Sequence, residues 1–206
     1  MHTAPRSTQS LVLFEGVPLA TPQVIAVKAS EFFFQTKIIP SLAFHAARGE
    51  RVGVIVGNNR MDVRAIAQLA HKHKLDPRPL LARIELSRAE TCHQLFQCIA
   101  TLSDEQINAW HALYVLGFME NFYDETPKEH EAKWLLIQSV KKLHELARRG
   151  LLILLTLSAP KQTGREHFLQ LVAQRVDVYR EFSEAMPQLA PPRQLALMGD
   201  INGTHT

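Results

Sequence analysis

Histidine, cysteine and serine are the residue types in this sequence that could hold a metal or act as a nucleophile. His71 and His73 stand two apart in a segment of helical spacing, roughly 200° from each other around the helix axis, a separation that opposes sharing one metal ion. Cys92 and His93 are adjacent, but no second pair follows at zinc-ligand spacing. No G-x-S-x-G elbow for a nucleophilic serine is present. The pattern favours surface histidines and a core cysteine over a metal site, and it predicts no cofactor.

Two polar loops follow predicted central strands, where open α/β sheets bind their ligands. Residues 118–131 carry five acidic residues against one lysine, so this loop should repel a phosphate backbone. Residues 158–167 carry Lys161, Gln162 and Arg165 beside a flexible glycine, and such side chains can contact nucleic-acid phosphates. A solvated polar loop is the alternative, and no aromatic residue there supports base stacking.

The elements that must position these loops alternate between strands and helices. Short β-branched or leucine-rich runs predict strands at residues 24–27, 52–56, 82–86, 112–116 and 151–157. Helical spacing predicts helices at residues 32–48, 63–70, 90–102, 129–149 and 165–173. Strands separated by helices imply right-handed β-α-β crossovers. The predicted fold class is α/β, with a mostly parallel central sheet and helices on both faces.

The last forty residues allow two interpretations. From Gln174 onward the apolar residues alternate with period two, which predicts a strand, whereas a helix running through to Glu184 is the rival. If the strand is correct, residues 187–192 become a long connection and residues 194–198 its antiparallel partner in a C-terminal hairpin. We expect one domain over residues 11–200, with a disordered tail at residues 1–10 and a frayed tail at residues 201–206.

Composition limits the class of protein. The 206 residues are 46% hydrophobic, which suits one sizeable core. The formal net charge is +3, so the chain permits nucleic-acid contact without requiring it. No apolar run approaches the roughly 20 residues that span a bilayer, and the first residues do not resemble a signal peptide. We therefore expect no membrane partner and a cytoplasmic or nucleoid-associated location.

The order of elements resembles the RecA-like recombinases and ATPases. VGVIVGNNRMDVRAIAQLAHKHKLDPRPLLARIEL, residues 52–86, is similar to the second core strand of that family, its helix, an L-D-P turn and the next strand. HALYVLG occupies the place of the Walker B strand, ELARRG ends the helix after it, and LLILLTLSAP resembles the strand that leads into a DNA-binding loop. The likeness covers roughly residues 22–200 and rests on order and spacing. It implies a RecA-like core.

The phosphate-loop motif of that family is degenerate here. The motif G-x-x-x-x-G-K-[ST] aligns with residues 29–36, in which only Thr36 keeps its type. Ala29 replaces the first glycine, Phe34 the second and Gln35 the lysine, so both the space and the charge for a triphosphate are lost. No Gly-Lys pair occurs anywhere in the chain, so no shift of the alignment restores the motif.

The Walker B position is also changed. A metal-coordinating aspartate is expected after the apolar strand, and Gly117 stands there. Losing one transition-state stabiliser commonly costs several kcal/mol, and here the lysine and the metal ligand are absent together. The resemblance therefore predicts a pseudo-ATPase that is not an enzyme.

Phe32, Phe33 and Phe34 admit two roles. Their rings could fill the vacated nucleotide cavity, or Phe32 and Phe33 could form an exposed patch for a partner. The resemblance implies a non-catalytic binding or scaffold protein, accessory to DNA recombination or repair, that associates with a RecA-like partner or with itself.

Two other functions remain open. One is a nucleotide-dependent enzyme that uses Thr36 and Lys37 in a rearranged phosphate loop. The other is an autonomous binder of single-stranded DNA, with weak contacts through Lys161, Gln162 and Arg165.

Overall fold

Parallel strands pair side by side to form the central sheet. The computed structural model describes residues 11–12, 18–19, 23–57, 61–124, 126–158 and 164–182. The predicted tails and the predicted partner strand at residues 194–198 lie outside the described residues. Within them, the strands are β1 Leu11–Val12, β2 Pro18–Leu19, β3 Val24–Ala29, β4 Arg51–Val56, β5 Ile84–Arg88, β6 Trp110–Leu116, β7 Leu152–Leu157 and β8 Val178–Phe182.

The sheet has the order β5-β4-β6-β7-β3-β8, and all six strands are parallel. β1 and β2 form a separate antiparallel pair. The α/β class is confirmed. The strand interpretation of the period-two segment is also confirmed, because β8 pairs with β3 and the preceding helix has ended before it.

Helices connect the strands on both sides of the sheet. They are α1 Glu31–Phe33, a π-helical segment Phe34–Ile38, α2 Ile39–Ala47, α3 Val63–Lys72, α4 Pro77–Leu81, α5 Cys92–Ala100, α6 Asp104–Ala109, a 3-10 turn Glu120–Phe122, α7 Glu129–Arg148 and α8 His167–Ala173. The sequence analysis missed α4 and α6. α6 has a clear local cause, because Ser103 and Gln106 form a reciprocal capping box.

Two apolar cores lie on opposite faces of the sheet. One face packs against α5, α7 and α8, with Leu113, Phe118 and Leu143 fully buried. The other packs against α2 and α3, with Ile38, Leu42 and Ile66 fully buried. Strands such as β7 contribute side chains to both faces, which explains their almost continuous apolar sequence.

Because every strand of the sheet runs in the same direction, all the strands end at one edge, here called the carboxyl edge. The connections after β3, β4, β6 and β7 meet there, and ligands of open α/β sheets bind at this edge. Over the part of the chain that the structure describes, none of the helices has both the length and the apolar character to cross a bilayer.

Candidate functional site

The junction between β3 and α1 lies where the resemblance to RecA-like proteins puts the phosphate loop. β3 ends at Ala29 and α1 begins at Glu31, so Ser30 alone connects them. The Ser30 hydroxyl accepts the Phe33 amide at 3.2 Å, and the Ser30 carbonyl accepts the Phe34 amide at 3.0 Å. A serine in this position caps the helix with its own side chain. One residue therefore joins the strand to a capped helix, with no longer loop between them.

The π-helical segment follows immediately. Phe34 and Ile38 at its two ends are buried in the core shared with α2, whereas Gln35, Thr36 and Lys37 between them are exposed. π-Helical turns insert one extra residue into a helix and are frequent at functional sites. Phe34 and Ile38 are four residues apart and therefore share one face of the helix, which packs on the core, while the three polar side chains between them face solvent.

Thr36 keeps the residue type of the phosphate-loop motif but not its setting. Its hydroxyl donates to the carbonyl of Phe32, four residues earlier, at 2.7 Å. Such back-bonding to the preceding turn is common for threonine in helices. The hydroxyl is therefore engaged within the helix.

The three phenylalanines point to three different environments. Phe34 is 7% exposed within the core, and Phe33 stacks on Phe182 of β8 with ring centroids 4.2 Å apart. Phe32 is 65% exposed. Each of the two roles predicted for these rings has a candidate. Phe34 occupies the interior, and Phe32 presents an aromatic ring to solvent.

Gly117 lies at the end of β6 in a closed turn. Its φ of +67° is in the left-handed region that favours glycine, and its amide donates to the Thr156 hydroxyl at 2.8 Å. The end of β4 lies close to the end of β6, because the Gly57 amide donates to the Leu116 carbonyl at 2.7 Å. A Cβ atom at Gly57 would stand 2.7 Å from the Gly117 carbonyl oxygen. The Walker B position is enclosed by backbone on both sides.

The segment after Gly117 folds into the core instead of forming an open loop. Phe118, Met119 and Phe122 are fully buried, and the amide of Asn121 donates to the Ala89 carbonyl at 3.0 Å. This segment covers the carboxyl ends of β5, β4 and β6. The acidic loop predicted over residues 118–131 is therefore half core and half surface.

The side chain of Arg165 hydrogen-bonds to the backbone of this segment. It is 6% exposed, and its guanidinium donates to the carbonyl oxygens of Phe122 at 3.1 Å, of Pro127 at 2.5 Å and of Asp124. The prediction of a surface cation for nucleic acid did not anticipate this burial. The long side chain and five donors of arginine suit it to satisfy several carbonyls at once. Lys161 and Gln162 lie outside the described residues.

The acids that remain on the surface are already paired. The Thr126 amide and hydroxyl hold the pKa of Asp124 below its ordinary value. Glu131 accepts from His93 at 2.9 Å, and Glu129 lies 3.4 Å from His167. These pairs tie the start of α7 to α5 and α8.

Cys92 lies next to the His93–Glu131 pair, with Sγ 3.7 Å from Nδ1 of His93. The sequence of contacts from Cys92 to His93 to Glu131 resembles that of a nucleophile, a base and an orienting acid. However, Cys92 is 1% exposed, and burial raises the pKa of its thiol. A protonated thiol without access to solvent cannot attack a substrate, so this group is structural. The prediction of a core cysteine beside an exposed histidine agrees with this geometry.

A second polar cluster at the opposite edge of the sheet was missed by the sequence analysis. His45 of α2 is 2% exposed and lies 2.5 Å from Glu50 through Nδ1, while Tyr114 and Ser41 share a hydrogen bond of 2.5 Å. The sequence does contain a signal for the burial of His45. It follows the core residue Leu42 by three positions on a helix, and residues at that spacing share one helix face. Burial raises the pKa of the Tyr114 phenol, so it stays protonated.

No protein-family model matches the chain, and no curated protein matches its sequence. Among the described residues, no group of three or more His, Cys, Asp or Glu side chains is arranged to hold a metal ion. What the chain does therefore has to be inferred from its fold and from the carboxyl edge of its sheet.

Proposed function

We propose that the chain is a RecA-like pseudo-ATPase that acts as a non-catalytic binding or scaffold protein. The observation that carries this proposal is the single-residue junction at Ser30, where a phosphate loop would need several non-helical residues with free amides. The capped helix start and the buried Phe34 occupy that place instead.

The strand order supports the RecA-like part of the proposal. β3 would carry the phosphate loop and β6 the Walker B acid, and β7 lies between them. An intervening strand at this position is a feature of RecA-like sheets. All three strands end at the carboxyl edge, where the two parts of an ATPase site would have to meet.

The enclosed turn at Gly117 supports the loss of catalysis. A metal ligand there would need a left-handed backbone conformation, in a turn whose following residues Phe118 and Phe122 are buried in the core. Because this loss is independent of the change at Ser30, the two observations reinforce each other.

Association with a RecA-like chain, in an accessory role in DNA recombination or repair, is the partner part of the proposal. Phe32 is the residue that offers a surface for it, since a phenylalanine 65% exposed beside the carboxyl edge gains stability when a partner covers it. Phe33 contributes less, because its ring already stacks on Phe182.

Affinity capture from the native host, with nuclease treatment and mass spectrometry, tests the partner. We expect a RecA-like ATPase to co-purify with the parent protein and with Phe44→Ser, and to be lost with Phe32→Ser. Phe44 is the matched control because it is another helical phenylalanine, 51% exposed, on α2. A monomeric protein that captures no such chain would contradict the proposal.

One observation favours the rival function, a nucleotide-dependent enzyme. Thr36 and Lys37 are both exposed on the π-helical segment, near the carboxyl edge. Calorimetry with ATP and Mg²⁺ discriminates between the two functions. We expect no heat of binding, and a binding heat that disappears in Lys37→Ala would support the enzyme instead.

A further inference from the structure

A surface rich in cations lies away from the carboxyl edge, where α3 ends and α4 begins. Arg64, Lys72, Lys74 and Arg78 are all exposed there, and we call them the α3–α4 basic surface. α3 returns from the end of β4 toward its beginning, so Lys72 lies near the edge of the sheet opposite Gly117.

The surface carries a net positive charge, because its four cations outnumber the two nearby acids, Asp62 and Asp76. Within the part of the chain that the structure describes, no carboxylate forms an ion pair with Lys72, Lys74 or Arg78. The two acids nearby cap helices, since Asp62 accepts the Arg64 amide at 2.8 Å and Asp76 accepts the Arg78 amide at 3.0 Å.

Lys74 stands at a position where glycine would be easier to accommodate. Its φ is +57°, and it is the one non-glycine residue of positive φ in the described ranges. Its amide donates to the His71 carbonyl, and the Leu75 amide donates to the Ala70 carbonyl, both at 2.9 Å. This is the Schellman end of a helix, at which glycine is the usual residue because it avoids left-handed strain. Backbone geometry therefore does not explain the lysine.

The helix dipole does not account for Arg78 either. Arg78 is the second residue of α4, and because α4 has five residues its first and last turns overlap there. Cations favour the last turn of a helix and disfavour the first, so the dipole gives Arg78 no net preference. It does account for Lys72 at the end of α3.

The spacing of the cations suits an extended polyanion. Arg64 and Lys72 lie on one stripe of α3, eight residues and therefore about 12 Å apart along the axis. That distance covers several phosphates of one nucleic-acid strand, which carries a charge about every 3.4 Å of helix axis.

Other partners fit this surface less well. Lysine is depleted in protein–protein interfaces, which argues against an acidic protein. An amphipathic helix that lies on a membrane buries a wide apolar face in the lipid. Ile66, Ala70 and Leu80 of α3 and α4 are buried against the core instead, and the exposed Val63 and Leu75 stand at the two ends of α3.

We infer that the α3–α4 basic surface binds the phosphate backbone of nucleic acid, without base specificity. This site is separate from the loop that holds Arg165 and does not depend on the proposed pseudo-ATPase function. Cationic contacts to phosphates release counterions, so the affinity must fall steeply with salt.

The test measures fluorescence anisotropy of a mixed-sequence single-stranded DNA of about 30 nucleotides, longer than the site sizes typical of such binders. The variant is Lys72→Gln/Lys74→Gly/Arg78→Gln. The matched control, Lys128→Gln/Lys133→Gln/Lys141→Gln, removes three exposed lysines at and along α7. Each variant lowers the formal net charge by three, from +3 to zero.

We expect the basic-surface variant to bind at least tenfold more weakly at about 50 mM salt, with a salt slope lower by roughly 2, and the control to keep most of the affinity. Lys74→Gly alone should also weaken binding while its Tm stays at or above that of the parent, which separates binding from folding. Absent binding by the parent, or an equal loss in the control, overturns the inference. Binding of the parent to phosphatidylserine vesicles but not to DNA overturns it too and assigns the surface to membranes.

Discussion

At the scale of single residues, Gly117 decides what the carboxyl edge can do. Its left-handed conformation turns the chain from β6 back into the core, and its carbonyl oxygen meets the end of β4 at Gly57. The Thr156 hydroxyl satisfies its amide. Glycine suits this turn because of its left-handed φ, and a side chain at position 117 would have to fit among three strand ends that lie close together.

Gly117→Asp would restore the residue type of a Walker B motif, and we expect it to unfold the edge rather than to create a metal site. The substitution adds left-handed strain and buries a carboxylate, at a combined cost of about 3 kcal/mol or more. Urea unfolding measures the loss. Gly164→Asp is the control, because Gly164 has a φ of +74° but nothing within 4 Å of an added Cβ. Equal stability of the two variants would show that position 117 is open.

The sequence was least informative about contacts between residues that are distant along the chain. Arg165 follows Gly164 in a polar loop, a context typical of an exposed cation, yet its acceptors are carbonyls 38 to 43 residues away in sequence. No local pattern reports such distant partners. For Phe32, Phe33 and Phe34 the sequence left a buried and an exposed role open, and the structure buries Phe34 and exposes Phe32.

At the scale of elements, β3 runs through a single residue into a capped helix. Ser30 supplies the cap, and Phe34 and Ile38, four residues apart on one helix face, both reach the core. Introducing the residues of a phosphate-loop motif should therefore not create a phosphate-binding loop.

Phe34→Gly/Gln35→Lys, which recreates a Gly-Lys pair, tests this point. We expect no heat of ATP binding, because the amides that would hold phosphate stay within the helix. Stability should fall by about 4 kcal/mol, from the lost core aromatic and from glycine within a helix. Phe32→Gly is the control, since Phe32 is exposed and should lose only the helix contribution. Measurable ATP binding by the double variant would mean that the junction can rearrange.

Elements that bury a continuous apolar face could be predicted from sequence, and the others could not. The predicted bounds of β7 and α7 agree with the observed ones to within a residue or two, because the spacing of their apolar residues fits only one type of secondary structure. α4 has five residues and is defined by Asp76, Pro77 and its packing, so it offers no periodic signal. The π-helical segment is likewise set by the core that Phe34 and Ile38 share.

At the scale of the whole molecule, the two edges of the sheet differ in chemistry. The carboxyl edge is filled by aromatic residues, while the opposite edge buries a polar cluster around His45 between α2, β4 and β6. Burial of ionisable groups links the stability of the entire domain to pH.

The protein should lose stability as the pH falls from neutral, and His45 should cause part of that loss. Burial lowers the pKa of His45 below 6.5, although Glu50 opposes the shift. Burial alone would raise the pKa of Glu50, but the hydrogen bond from His45, the charge of His45 and Arg48 bring it below its ordinary value. Both groups then bind more protons unfolded than folded, so the stability from His45 is present above pH 6.5 and declines below it, whereas that from Glu50 is present above pH 4.5 and declines below that value, in each case by at most about 1.4 kcal/mol per pH unit. Urea unfolding between pH 7.5 and 5 should show a smaller decline for His45→Gln, which keeps a donor to Glu50 but cannot titrate.

His71→Gln, at an exposed histidine, should leave the decline as in the parent. Parallel curves for all three proteins would show that His45 keeps the same pKa in the folded and unfolded states.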